Sequence, residues 1–159
     1  YVLIIGGGGK SGMLCMYEAK KKAGPGGKVI CVAHSERSTK RAKDLGLADE
    51  VFSCDSTDAV GLYNKVMELT DGKLCDVVIN CVNIENTEMG SILCCKDGGT
   101  VYFFSMATNF TKAALGAEGV GKDIMMIVGN GYTKDHDKIA LQIMRDSEAL
   151  RDVFSELYA

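Results

Sequence analysis

The chain has 159 residues, of which 47% are hydrophobic, and a net charge of −3, so it is long enough for one domain with a single core. The near-neutral charge gives no sign of a nucleic-acid partner, and no apolar run approaches the length of about 20 residues that a membrane-spanning helix needs. No signal peptide is visible, so we expect a cytoplasmic protein without a membrane partner. Seven cysteines are scattered through apolar segments without a Cys-x-x-Cys pair, which predicts reduced, buried thiols and no metal site.

The first half of the chain alternates apolar strand patterns with helix patterns. VLIIG predicts strand one, and residues 12–22 predict a helix that Gly24 and Pro25 end. KVICVA predicts strand two, followed by a helix that Ser35 caps and Gly46 closes. DEVFSCD predicts a short third strand, and residues 58–69 carry the apolar spacing of a helix.

The second half continues the alternation. CDVVINCV is apolar on both faces, as in a strand buried in a parallel sheet, and a helix is predicted over residues 88–95. GGTVYFFS and DIMMIVGN predict strands five and six. Lys112 and Glu118 of the segment between them could reach the active-site side, but a solvated loop is the favoured interpretation. Residues 138–158 predict a helical tail with a break at Asp146 and Ser147. The alternation predicts an α/β fold over residues 1–159, a doubly wound parallel six-stranded sheet (Rossmann fold) in the order 3-2-1-4-5-6.

The stretch IIGGGGKSG, at the end of strand one, has features of two kinds of phosphate-binding loop. A P-loop for ATP that uses this Gly-Lys-Ser would need its first glycine where the sequence has Ile4. The dinucleotide pattern Gly-x-Gly-x-x-Gly fits instead: Gly7 makes the tight turn, Gly9 lets the backbone approach a diphosphate, and Gly12 allows close helix–strand packing. A helix that begins near Ser11 would aim its free N–H groups and the positive end of its dipole at that diphosphate.

Ligands of a doubly wound sheet lie beyond the carboxyl ends of the strands, near the switch point between strands one and four. Small and polar residues stand where each apolar run of this chain stops, and they are the candidate cofactor contacts. For the two asparagines that flank Cys81 and Val82, contact with cofactor or substrate and simple loop capping both remain open. The candidates are Gly7, Gly9, Lys10, Ser11, Gly12, Met13, His34, Ser35, Arg37, Asp55, Asn80, Cys81, Val82, Asn83, Ser105, Met106, Asn130 and Gly131.

The end of strand two indicates which nicotinamide cofactor is used. NAD enzymes carry Asp or Glu there to bind the adenosine ribose, whereas this chain has Ala33. A small residue leaves room for a 2′-phosphate, which Ser35 and Arg37 can bind with charge-assisted hydrogen bonds. Two alternatives stay open: Arg37 and its basic neighbours form a solvated helix face, or Glu36 replaces the missing acid and restores NAD use. The pattern favours NADP over NAD.

Long stretches of the chain resemble the coenzyme domain of medium-chain dehydrogenases/reductases, namely GKSGMLCMYEA, DVVINCVNIENTEMGSIL, FFSMATNFTKAALGAEGVGKDIMMIVGNGYTKDHD and ALRDVFSELYA. The resemblance implies an NAD(P)-dependent oxidoreductase that oxidatively deaminates a small 3,5-diamino acid in lysine fermentation. It also implies a homodimer joined through the sixth strand and an N-terminal catalytic domain that this chain lacks. We therefore expect a coenzyme-binding domain that does not turn over substrate by itself.

The catalytic groups remain unassigned at this stage. We expect the general base in the missing domain, because His34 and His136 are interpreted as surface residues. Asn83, Ser105 and Tyr132 could hold the nicotinamide carboxamide or the substrate. A non-catalytic nucleotide-sensing domain with the same Rossmann core remains the alternative function.

Overall fold

The computed structural model of the chain describes residues 1–129 and 131–159. Within these ranges the strands are β1 (Val2–Ile5), β2 (Val29–Ala33), β3 (Glu50–Ser53), β4 (Cys75–Asn80), β5 (Cys95–Phe103) and β6 (Met125–Val128). The helices are α1 (Lys10–Ala23), α2 (Glu36–Leu45), α3 (Ala59–Leu69), α4 (Glu88–Leu93), α5 (Phe110–Gly119), α6 (His136–Asp146) and α7 (Glu148–Tyr158). No helix in the described ranges is long and apolar enough to cross a membrane.

All neighbouring strands pair in parallel, in the order β3-β2-β1-β4-β5-β6, which confirms the predicted Rossmann topology. β1 is central, and its side chains alternate between two cores because successive residues of a strand point to opposite faces. Leu3 and Ile5 pack on one face with residues of α3, α4 and α5, and Ile4 packs on the other with residues of α1, α6 and α7. Both faces are therefore covered by helices, which leaves the loops at the carboxyl edge to build a site.

The predicted helix ends are confirmed by their caps. The Ser35 side chain accepts a hydrogen bond from the Ser38 N–H and begins α2, and Gly46 ends this helix in the left-handed conformation, with φ of 62°. The predicted break in the tail falls at Ser147, which ends α6 and caps α7 by accepting from the Leu150 N–H. These caps set where α2 and α7 begin.

The solvated-loop interpretation of the segment after β5 is wrong, because residues 110–119 form α5. The Asn109 side chain begins the helix by accepting from the Lys112 N–H. Its buried face consists of Ala113, Gly116 and Ala117, small residues that give little hydrophobic signal in the sequence. Nearby, α4 ends at residue 93 and β5 already begins at residue 95, earlier than the GGTVYFFS pattern predicts.

Candidate functional site

The glycine loop, residues 6–9, turns the chain sharply from β1 into α1. The Gly6 N–H donates to the Val32 carbonyl at 2.8 Å, and the Gly9 N–H donates back to the Gly6 carbonyl at 3.1 Å. Gly9 is the N-cap of α1 and has no side chain with which to cap it. The helical ladder starts with the Met13 N–H, which donates to the Gly9 carbonyl at 2.9 Å. The N–H groups that precede Met13 in α1 thus have no acceptor within the helix and face the end of the sheet.

Backbone conformation or close packing requires glycine at three positions of this loop, Gly6, Gly7 and Gly8. Gly6 has a φ of 89°, so the left-handed turn falls one residue before Gly7, to which the sequence assigned it. A β-carbon at Gly7 would collide with the Cys31 sulfur of β2. A β-carbon at Gly8 would lie 2.6 Å from the β-carbon of Ser38 in α2.

Gly9 and Gly12 differ in what surrounds them. A β-carbon at Gly12 would collide with the Gly6 carbonyl oxygen, so this glycine lets α1 pack directly on the loop, as predicted. A β-carbon at Gly9 would meet nothing closer than that same oxygen at 3.5 Å, and Gly9 has an ordinary extended conformation, with φ of −92°. The protein itself therefore does not require glycine at position 9, and the space there is open to a ligand.

Two positively charged side chains join the glycine loop to other helices. Arg41 of α2 donates from Nη1 to the Gly8 carbonyl oxygen at 2.6 Å. The Lys10 ammonium lies 3.9 Å from the centre of the Tyr158 ring in α7, in a cation–π contact. Neither contact has a local sequence signal, so Arg41 is recognisable from the sequence only as a basic neighbour of Arg37, and Tyr158 is not recognisable at all.

The last residue of β2 is small, and exposed polar residues follow it. Ala33 is buried, and His34 and Ser35 are exposed directly after it. The Ser35 hydroxyl accepts from the Ser38 N–H at 3.1 Å and lies 2.9 Å from the Ser38 hydroxyl. A ligand that bonds to the Ser35 hydroxyl would therefore compete with the cap of α2.

Arg37 is exposed in the first turn of α2. It lines a shallow groove between α2 and α7 that also contains Asp152 and Glu156. The carboxylates of Asp152 and Glu156 are alternative partners for the Arg37 guanidinium, and they compete with a ligand for it.

Asp55 follows β3 and lies at the same edge of the sheet. Its Oδ1 accepts from the Thr57 N–H at 2.9 Å and from the Thr57 hydroxyl at 2.7 Å. These two hydrogen bonds lower the pKa of Asp55, and the charge of His34 lowers it further. Asp55 is thus a fixed carboxylate beside the end of β2.

The asparagines after β4 have different environments. Asn80 is fully buried, and its amide donates to the Thr87 hydroxyl at 2.8 Å and the Ser91 hydroxyl at 2.9 Å. Its oxygen accepts from the Val82 N–H at 3.1 Å. This side chain holds the turn into α4 and favours the capping alternative, whereas Asn83 is exposed and available to a ligand. Met13, another candidate contact, is also fully buried, so the structure places neither the Met13 nor the Asn80 side chain where a ligand could touch it.

The turn after β5 exposes one side chain, and a hydrogen bond to its backbone holds its shape. The Ser105 hydroxyl oxygen accepts from the Ala107 N–H at 3.0 Å, and Met106 is strongly exposed. The Thr108 hydroxyl is buried, and among the described residues no group accepts from it or donates to it.

Two hydrogen bonds connect this turn to the one after β4. The Asn109 N–H donates to Oε1 of Glu88, a buried carboxylate in the first turn of α4, at 2.7 Å. The Lys112 ammonium donates to the Asn86 side chain at 2.5 Å. Lys112 and Glu88 thus position the two loops, and apart from being an acid at a helix start, Glu88 has no local sequence signal.

The end of β6 lies at the edge of the sheet, beyond β4 and β5. Gly131 and Tyr132 are exposed there, and the Tyr132 ring packs edge-on against His136, the first residue of α6. Asn130, also a candidate contact, lies outside the described residues. The structure thus brings together the candidates of β1, β2 and β4, and those of β6 lie farther along the edge.

Metal binding finds no support in the residues described. Within 1–129 and 131–159, no group of three or more His, Cys, Asp or Glu side chains has an arrangement that could hold a metal ion.

Comparison with known proteins identifies relatives at two levels. A family profile described as zinc-binding dehydrogenase matches residues 12–144. Two relatives named L-erythro-3,5-diaminohexanoate dehydrogenase, from Acetoanaerobium sticklandii and Fusobacterium nucleatum, are 54% and 52% identical over 157 residues. Each match covers 99% of this chain but 46% of the relative, so the chain spans about half the length of these relatives.

Solved structures share the fold at low identity. An alcohol dehydrogenase from Thermotoga maritima superposes with a TM-score of 0.74 at 18% identity, covering 96% of this chain and 42% of its own. A mycobacterial protein solved in complex with NADPH gives a TM-score of 0.64 at 20% identity, covering 98% of this chain and 46% of its own. The family match extends over most of the chain, and the chain belongs to the zinc-binding dehydrogenase family.

Proposed function

We propose that this chain binds a nicotinamide dinucleotide at the carboxyl edge of its sheet, with the diphosphate at the N-terminus of α1. The observation that carries the proposal is the space at Gly9, where a β-carbon would meet nothing closer than 3.5 Å. Packing accounts for Gly7, Gly8 and Gly12 but not for Gly9, and a ligand that approaches the backbone would account for Gly9. The free N–H groups and the helix dipole favour the negative charge of a diphosphate at this point.

The remaining contacts follow from the strand order. β1 lies between β2 and β4, so a dinucleotide on the glycine loop would extend its adenosine toward β2 and its nicotinamide toward β4 and β5. Asn83 is exposed on the nicotinamide side and can bond the carboxamide or a substrate. Asn80, Glu88 and Lys112 keep the surrounding turns in place.

NADP is the proposed cofactor, since Ala33 lacks the carboxylate that would bind the ribose hydroxyls and repel a 2′-phosphate. Arg37 lies in the first turn of α2 and is exposed. A 2′-phosphate offers Arg37 a stronger partner than the solvated carboxylates of the groove between α2 and α7.

At the level of the whole protein, we propose the coenzyme-binding half of an enzyme that converts (3S,5S)-3,5-diaminohexanoate to 5-amino-3-oxohexanoate and ammonia. The names of the two relatives and their identity to this chain over 157 residues support this assignment. The bound nicotinamide would accept hydride from the carbon that bears the amine. Substrate binding and the general base would come from the part of such an enzyme that this chain does not include.

We also propose a homodimer through β6. This edge strand exposes Met125 by 64%, Ile127 by 44% and Val128 by 39%. An apolar edge with unpaired backbone groups is prone to pair with a second copy.

The test has a binding arm and an activity arm. Calorimetric titration of the chain with NADPH, NADH and Mg-ATP should show binding of the dinucleotides and none of Mg-ATP; tighter binding of Mg-ATP would contradict the proposal. For activity, the chain replaces the matching segment of the A. sticklandii relative, and the chimera is assayed with 3,5-diaminohexanoate. A folded chimera that binds NADPH but does not oxidise this substrate would contradict the substrate assignment.

A further inference from the structure

Two cysteines from distant parts of the sequence meet at the switch point of the sheet. Cys15 lies in the second turn of α1, and Cys81 follows β4 directly. Their sulfur atoms are 4.0 Å apart, and the Cys81 thiol donates a hydrogen bond to the Cys15 sulfur. Neither residue is fully buried, unlike Cys31, Cys75, Cys94 and Cys95.

The other cysteines lack this combination of partner and access. Burial raises the pKa of Cys31 and of Cys75 to about 12 and that of Cys95 to about 11, and it raises the pKa of Cys94 as well. Cys54 is partly exposed, but burial and the charges of nearby aspartates raise its pKa as well. In contrast, the hydrogen bond from Cys81 lowers the pKa of Cys15, and the thiolate is the reactive form of cysteine.

The pair also connects the two walls of the proposed dinucleotide site. The Cys81 N–H donates to the carbonyl of Ile5, the last residue of β1, at 2.9 Å. The next residue, Val82, packs so closely on the glycine loop that a β-carbon at Gly6 would lie 2.6 Å from its Cγ1. Cys15 belongs to the helix whose N-terminus would bind the diphosphate. The pair therefore lies between the two segments whose backbone would form the site.

We propose that Cys15 and Cys81 form a dithiol modification site that a peroxide oxidises to a disulfide, and that this disulfide weakens dinucleotide binding. A disulfide requires a sulfur–sulfur distance of about 2.05 Å, so the two sulfurs must approach by about 2 Å. The approach rotates both side chains and draws α1 toward the turn after β4, which changes the shape of the loop between them. The consequence for binding rests on the proposed function, whereas the thiol chemistry does not.

The chemistry balances with hydrogen peroxide as the oxidant. The Cys15 thiolate attacks one peroxide oxygen, the O–O bond breaks, and the second oxygen leaves as water after it takes up a proton. The Cys15 sulfenic acid is then attacked by the Cys81 sulfur, the S–O bond breaks, and a second water leaves with the Cys81 proton. Two thiols and one peroxide thus give one disulfide and two waters, and a dithiol reductant reverses the reaction.

The first experiment tests the bond itself. The reduced 159-residue chain is treated with hydrogen peroxide, the remaining thiols are alkylated, and the peptides are mapped by mass spectrometry. We expect one peptide pair, linked through Cys15 and Cys81, that dithiothreitol separates. Cys15→Ser and Cys81→Ser should abolish the linked pair, and Cys54→Ser should retain it. Linkage through other cysteines, or oxidation without linkage, overturns the proposal.

The second experiment tests the consequence for the site. NADPH is titrated into the reduced chain, the peroxide-treated chain and the treated chain after dithiothreitol. We expect oxidation to weaken NADPH binding by about tenfold, within the usual range for coupling between sites, and reduction to restore it. Cys15→Ser should bind NADPH and keep its affinity after peroxide. A mapped disulfide with unchanged NADPH affinity would overturn the proposed coupling. A reduced chain that binds neither NADPH nor NADH would contradict the proposed function, and the peptide map would still decide the thiol chemistry.

Discussion

Arg41 of α2 donates a hydrogen bond to the carbonyl oxygen of Gly8, at 2.6 Å, and so fixes the glycine loop from the neighbouring helix. The bond orients the peptide between Gly8 and Gly9, the residue at which a ligand has open space. The loop is thus held in shape before any ligand arrives. Preorganised backbone donors bind a diphosphate better than donors that must first be ordered.

The first prediction separates the glycine needed for binding from those needed for packing. Gly9→Val places a branched side chain in the open space, and we expect NADPH affinity to fall by about a hundredfold, or about 2.8 kcal/mol. The fold should persist, because valine accepts a φ of −92°. Gly26→Val is the matched control, since Gly26 also has open space around it but lies in the turn between α1 and β2. Equal affinities in calorimetry for both variants would contradict the assignment of the loop.

Gly12→Ala should reduce the stability of the fold, whereas Gly9→Val should leave the fold intact. Its β-carbon would collide with the Gly6 carbonyl, and backbone cannot move aside as a flexible side chain can. We expect the free energy of unfolding to fall by about 1–3 kcal/mol. Urea unfolding measures it, and a variant as stable as the wild type would show that α1 packs less closely on the loop.

Much of the fold could be predicted because its signals are local. The apolar runs of β1, β2 and β4 and the spacing of Gly7, Gly9 and Gly12 are readable within a few residues. The helix α5 was missed because its buried face is built from alanine and glycine. The contacts of Arg41 with Gly8 and of Lys10 with Tyr158 could not be predicted, since they depend on how α2 and α7 pack on the loop.

The buried Asn80 gives a prediction about stability. Asn80→Ala would leave the hydroxyls of Thr87 and Ser91 and the Val82 N–H without their present partner. Buried polar groups that lose a partner are costly, so we expect a loss of about 2–4 kcal/mol in the free energy of unfolding. The exposed Asn83 is the control, and Asn83→Ala should change stability by less than about 0.5 kcal/mol. Similar losses in both variants would mean that Asn80 does not hold the turn.

Asp49 gives a prediction about pH. Burial alone would raise the pKa of Asp49, but its ion pair with Lys20 and the hydrogen bond from the Val29 N–H, at 2.8 Å, bring the pKa below its usual value. A lowered pKa stabilises the folded state above about pH 3.9, the usual value for Asp, and this stabilisation is lost as the pH falls through the folded-state pKa. The pair is partly exposed, so Asp49→Asn should cost about 0.5–1 kcal/mol at pH 7. Urea unfolding from pH 7 to pH 2 should show the difference between wild type and variant shrinking in acid, and a constant difference would contradict the electrostatic explanation.

The proposed dimer is tested at β6. Ile127→Asp puts a charge on the exposed edge, and we expect it to shift the chain from dimer to monomer in sedimentation velocity at micromolar concentration. Val60 is a matched control, because it is 63% exposed but lies on α3, away from this edge. Val60→Asp should leave the dimer intact. A wild-type chain that sediments as a monomer would contradict the assembly.

The last prediction concerns the choice between NADP and NAD. Arg37→Ala removes a charge-assisted contact with a 2′-phosphate, which is worth about 1.5–3 kcal/mol, or roughly ten- to hundredfold in NADPH affinity. NADH affinity should hardly change, because NADH offers that guanidinium no phosphate.

Arg41→Ala is the matched comparison for Arg37→Ala, since Arg41 bonds the glycine loop that both cofactors share. It should weaken NADPH and NADH alike. Ala33→Asp should weaken NADPH and strengthen NADH, because its carboxylate repels the phosphate and accepts from the ribose hydroxyls. Calorimetry with NADPH and NADH on the wild type and the three variants shows which cofactor is preferred and which residues determine the preference. Equal losses of both cofactors in Arg37→Ala would show that Arg37 supports α2 and the groove beside α7. A wild type that prefers NADH would assign the ribose contact to Glu36.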